Sequence, residues 1–158
     1  MTIQEFQADK IEGVAKMLAF WLGAMPKEKQ SWVPSVEGAA GLRTAREQVA
    51  ECVTANRFFA SLFKGEKPAS FSLFLVTFPD TNTDFEEIQQ ALLASAAECA
   101  ASVRRMSDDD LMSEYPFRGR MMSGYQVLEF PYRNMAYHSG QINQLQLFYG
   151  DTEFHVPS

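Results

Sequence analysis

Four stretches of this chain repeat their apolar residues at helical spacing, and that pattern constrains the fold more than any other feature. The first runs from about Ile3 to Met25, with Ile11, Val14, Leu18, Trp21, Leu22 and Met25 on one stripe and Pro26 stopping it. Thr2 and Glu5 fit a capping box, in which hydroxyl and carboxylate each satisfy an otherwise orphaned amide. The second lies between Gly41 and about Phe63, with Leu42, Ala45, Val49, Cys52, Val53, Phe59, Ala60 and Phe63 on one face and Gly65 and Pro68 behind it. Thr83-Asp84-Phe85-Glu86 reads as another capping box, opening a third helix that reaches about Met106. The fourth begins near Pro131, since proline suits a first helical turn, and ends about Tyr149 before Gly150. The expected architecture is all-α, a four-helix bundle with long connections, forming a single domain over residues 1–158.

The connections carry little further order. Phe71 to Phe78 is strongly apolar and could be a strand by composition, but it has no convincing partner, so it is expected to lie extended on the bundle. It is far shorter than the ~20 residues a membrane-spanning helix needs. The run Asp108-Asp109-Asp110 suits a helix start or a solvated turn, because calcium-loop spacing is absent. The formal net charge is −6 and no basic cluster is present, which argues against nucleic acid as a partner. Cys52 and Cys99 cannot make a disulfide framework and are expected to be reduced, buried thiols of a cytoplasmic protein.

Function has to be sought where the stripes are broken. At about 100° per residue, Asn134, His138 and Gln141 share the apolar arc of the fourth helix with Met135, Ile142 and Leu145. Burying such groups costs about 1–3 kcal/mol each unless they find partners. In the second helix the solvated sector is read as Arg46, Thr54, Arg57, Ser61 and Lys64. Glu51 instead lines up with Ala55, Phe58 and Leu62 at the edge of the apolar arc, and Asn56 lies within the first stripe. A core-facing carboxylate is protonated, paired or bound to a cation. Residues at i and i+4 of one helix can also grip a single ion. His155, beyond the last helix, is expected at the surface.

The segment Arg133-Asn134-Met135-Ala136-Tyr137-His138-Ser139-Gly140-Gln141-Ile142, ending in Tyr149-Gly150-Asp151, resembles the last-helix motif of the DinB-like superfamily. That group is related to metal-dependent thiol transferases and maleylpyruvate isomerase-like proteins. The stretch from Glu47 to Phe59 is similar to the family's second helix, and the order of all four helices agrees with the family fold. The resemblance implies a three-ligand metal site that falls on Glu51, Asn134 and His138, with Gln141 and Asn56 as pocket residues around it. Two of the family's three usual histidines are thus replaced. A set of carboxylate, amide and imidazole is harder and weaker than three imidazoles, so affinity for zinc or nickel falls and manganese or magnesium becomes more competitive.

Two functions follow as expectations. In one, a divalent ion (zinc, nickel or manganese) on Glu51 and His138 lowers the pKa of a bound low-molecular-weight thiol or water, giving a metal-dependent thiol transferase or hydrolase. In the other, the polar cluster is a metal-free pocket of a non-catalytic small-molecule-binding or stress-associated protein. There, a carboxylate beside an imidazole would favour the imidazolium. The family resemblance also implies a homodimer, and no membrane partner is expected.

Overall fold

The computed structural model describes residues 1–35, 41–66, 68, 70–78 and 84–155. Four long helices form the bundle: α1 (Ile3–Ala24), α2 (Ala45–Phe63), α3 (Phe85–Arg104) and α6 (Phe130–Phe148). Between the last two lie α4 (Asp108–Met112), an antiparallel hairpin of β1 (Glu114–Phe117) and β2 (Arg120–Ser123), and α5 (Gly124–Val127). In the bundle, α1 packs on α3 and α6, and α2 packs on the same two from the opposite side.

Local chemistry sets the helix ends. Thr2 and Glu5 form the expected capping box, and Thr44 with Glu47 forms a second that starts α2 four residues after Gly41. Asp84 caps α3 by accepting from the Phe85 amide, whereas Thr83 of the expected box lies outside the described residues. The acidic run does begin a helix, with Ser107 and Asp110 as its capping box. Gly150 ends α6 with φ 93°, a conformation that only glycine adopts without cost.

α2 departs from the amphipathic reading. All its residues except Glu47, Glu51 and Arg57 are buried, so Arg46, Thr54 and Ser61 are not on a solvated sector. For Thr54 the reason lies in the connection that follows. Phe71–Phe74 forms one 3₁₀ turn, and the chain then runs extended over α2, with Phe74, Val76 and Phe78 packed on the core. The Val76 amide donates to the Thr54 hydroxyl at 3.0 Å, and that hydroxyl donates to the Ala50 carbonyl at 2.8 Å. Arg46 reaches the Gln30 side-chain oxygen at 3.5 Å. The Thr54 hydroxyl and the Arg46 guanidinium each have a partner on the covered side. No helix among the described residues is long and apolar enough to cross a membrane.

The hairpin closes one end of the α2–α6 face. Tyr115, Phe117 and Met122 pack against the core, and Arg118-Gly119 makes the two-residue turn with φ 50° and 74°. Gly124 follows directly, and a Cβ there would lie 2.4 Å from the Asp110 carbonyl oxygen and 2.7 Å from the Leu111 Cα. Only glycine lets α5 approach α4 this closely.

Candidate functional site

Two adjacent helices supply the polar groups. Gln48, Glu51 and Cys52 face α6 from α2, and Asn134, His138 and Gln141 project from α6 one turn apart. His138 is only 1 % exposed. Its Nδ1 lies 3.3 Å from Gln48 Oε1, and Gln48 Nε2 donates to the Arg43 carbonyl at 3.0 Å. That second bond orients the amide, so its oxygen accepts and His138 carries its proton on Nδ1. The Nε2 lone pair then points toward Glu51, with Nε2 3.4 Å from Oε1 and no aligned hydrogen bond to any group.

Charge is arranged around this notch by Arg43, which lies just before α2. Its guanidinium is ion-paired with the other oxygen of Glu51. Burial pushes the His138 pKa down to about 4, the Arg43 charge adds to the depression, and Gln141 opposes it. The expectation that Glu51 would hold an imidazolium is thereby corrected. The carboxylate is committed to Arg43, and desolvation outweighs what it offers the ring. At neutral pH the notch presents two acceptors, a carboxylate oxygen and an imidazole nitrogen, facing one another.

The remaining expected residues divide. Asn134 lines the same cavity as Glu51 and His138, with its amide nitrogen 3.8 Å from Cys52 Sγ. Gln141 lies against the imidazole and donates to the Tyr137 hydroxyl at 3.0 Å, while its buried Oε1 has no partner. Asn56 belongs elsewhere. It faces α3, donating to Ser95 Oγ at 3.3 Å and contacting Met135 Sδ at 3.4 Å, in the core and away from the cavity wall. His155 is half-buried beside Asp151, with Nε2 2.8 Å from its Oδ2, and is not a freely exposed side chain.

The notch opens into a cavity of about 920 Å³ between α2, α6, the hairpin and Pro68, Ser70 and Phe71. Phe58, Phe59, Phe71, Phe117 and Phe130 line it, with the Phe117 and Phe130 centroids 4.7 Å apart and the Phe58 and Phe71 centroids 5.5 Å apart. A second cavity of about 540 Å³ shares Glu51 and Phe71 with it and has Arg43 on its wall. Sequence reasoning missed Gln48 and Arg43. Gln48 is visible only as the residue three before Glu51 on the same helix face, and Arg43 precedes the helix and carries no periodic signal.

Comparison with protein-family models matches residues 10–142 to the DinB superfamily. The chain belongs to the DinB superfamily. Comparison with curated proteins gives no match. For this DinB-superfamily protein the donor set can be weighed against the metal centre that the resemblance implies. Among the described residues, no three His, Cys, Asp or Glu side chains converge. Glu51 is ion-paired with Arg43, so a dication held by Glu51 and His138 would have to share its one anionic ligand with a guanidinium that repels it. The residues of this superfamily member do not fit a resident divalent ion. Cys52 offers no substitute, because burial pushes its thiol well above the usual range and leaves it protonated.

Proposed function

We propose that this DinB-superfamily protein binds a small molecule in the α2–α6 cavity and does so without a resident metal. The observation that carries this reading is the buried, unpaired Nε2 of His138 beside Glu51 Oε1 at 3.4 Å. Two acceptors in contact are unfavourable until a donor enters between them. A ligand hydroxyl, thiol or amine N–H donates to one of them or shares its proton between the two, and an NH2 group can donate to both. Arg43 fixes Glu51 from behind and fills the charge-balancing place that a metal would otherwise take.

Binding rather than catalysis is supported by the protonation states. A general base works best with its pKa near the operating pH, and His138 at about 4 is far below it. No activated thiolate is at hand, since Cys52 stays protonated. The test is metal content by mass spectrometry on protein purified without a histidine tag, beside His138→Ala, before and after offering zinc, nickel and manganese. Substoichiometric metal that is the same in both proteins is expected. Near-stoichiometric metal in the wild type, lost in His138→Ala, would overturn the metal-free reading and return the site to metal-assisted thiol or hydrolytic chemistry.

A further inference from the structure

The outer half of the large cavity has a different character from the notch. Three arginines, Arg118, Arg120 and Arg133, line it, against a single carboxylate, Glu51, which Arg43 already neutralises. This concentration of positive charge occurs on a chain whose net charge is −6. Among the described residues none of the three has an acidic partner within ion-pair distance. Two of them instead lie over rings that line the cavity: the Arg118 guanidinium carbon is 5.4 Å from the Phe117 centroid, and that of Arg133 is 5.8 Å from the Phe130 centroid. Guanidinium groups laid on aromatic faces are partly ordered and keep their in-plane N–H donors free for a planar oxyanion.

The backbone adds a second, independent observation. Arg118 is the only described non-glycine residue with positive φ, at 50°, and it holds the first position of a two-residue hairpin turn. That position favours Asn, Asp or Gly, and a long side chain there costs stability. The turn thus departs from its local optimum at the one place that sets a guanidinium on the cavity rim. Such local conflicts concentrate at functional positions.

We propose that the cavity takes an amphipathic organic anion, a molecule with a carboxylate, sulfonate or phosphate at one end and an aromatic or alkyl body. The anionic group lies among Arg118, Arg120 and Arg133, and the body lies between the phenylalanines. A hydroxyl, thiol or amine near the other end donates into the Glu51–His138 notch. The inference rests on the small-molecule reading given above and deepens it by naming the ligand class.

A pair of fluorescent probes separates the two layers of this argument. 2-Anilinonaphthalene-6-sulfonate and N-phenyl-2-naphthylamine share the same aromatic body and the same N–H donor, but only the first carries an anion, at the end of the naphthalene remote from the N–H. The sulfonate is expected to bind the natively folded protein at least tenfold more tightly than the neutral probe, and more weakly as salt rises. Replacing Arg118, Arg120 and Arg133 together by Gln should remove that preference and leave the neutral probe's affinity unchanged. Arg118→Asn should lower sulfonate affinity while raising the unfolding midpoint, a combination that a purely structural role for this arginine would not give. Glu51→Gln and His138→Phe should weaken both probes alike. Equal affinity for the two probes, unaffected by the arginine substitutions, would overturn the anion proposal and leave the small-molecule reading standing. Failure of both probes to bind, or binding that does not respond to the notch substitutions, would sink both.

Discussion

The depressed pKa of His138 makes acid stability a direct test of how the site is wired. In the folded protein the ring titrates at about 4, against an ordinary value of 6.5. As pH falls, the unfolded chain therefore takes up this proton first, and the folded state loses ground. The contribution is fully present above pH 6.5, declines through the window from 6.5 to 4, and levels off below. The whole gap corresponds to about 3 kcal/mol, of which roughly 2 kcal/mol is lost between pH 7 and pH 5. Urea unfolding of wild type and His138→Gln at those two pH values isolates it. Glutamine can still donate to Gln48 but does not titrate. Glu12, Asp110 and Asp151, whose carboxyls are held below their usual range, lose stability with acid in both proteins and cancel in the difference. The wild-type advantage should shrink by roughly 2 kcal/mol from pH 7 to pH 5. A constant advantage would mean that burial and Arg43 do not govern the ring. A growing one would mean that Glu51 stabilises an imidazolium, and the two-acceptor notch would be wrong.

Other perturbations probe the scaffold. Gly124→Ala drives a Cβ into the backbone of Asp110 and Leu111, so a loss of at least about 2 kcal/mol in chemical denaturation is expected. Asn56→Leu removes a buried amide whose Oδ1 is unpaired, while Ser95 keeps its bond to the Leu92 carbonyl at 2.9 Å. Stability should be unchanged or higher by about 1 kcal/mol, with probe binding unaffected; a marked loss would show that the amide has an essential partner. Cys52 and Cys99 are fully buried, and burial raises both thiols. N-ethylmaleimide should label neither in the native protein and both in urea, and rapid native labelling would refute the packing around them.

The four long helices were legible because their apolar periodicity is strong and their ends carry recognisable chemistry, such as Thr2 with Glu5 and Pro131 in the first turn of α6. The hairpin was not. Its strands are four residues each, Pro116 interrupts one, and its turn holds Arg-Gly where the usual signal is Asn-Gly. The exposure of α2 was misread for a related reason: Arg46, Thr54 and Ser61 look solvated by type, and only their partners in the flanking connections, Gln30, the 71–78 segment and Glu66, take them out of water. At the site, periodicity turned Glu51 and His138 toward the core of their own helices, and the family resemblance joined them in one place, where the two helix faces meet. It could not separate Asn56, which shares the buried surface of α2 but faces α3. Arg43 escaped because its effect on Glu51 is set by where a loop leads a long side chain, which no helical pattern encodes.

The cavity is walled by two materials of different stiffness. One side is α2, buried nearly all round, whose amides should be among the last in the protein to exchange with solvent. The other is a hairpin of two four-residue strands that packs chiefly through Tyr115, Phe117 and Met122. A ligand bound as proposed would meet a rigid notch that selects by fit, and its passage in and out would depend on how readily the hairpin lifts. A bound molecule's residence time should accordingly track the stability of that turn more closely than it tracks the strength of the hydrogen bonds at the far end.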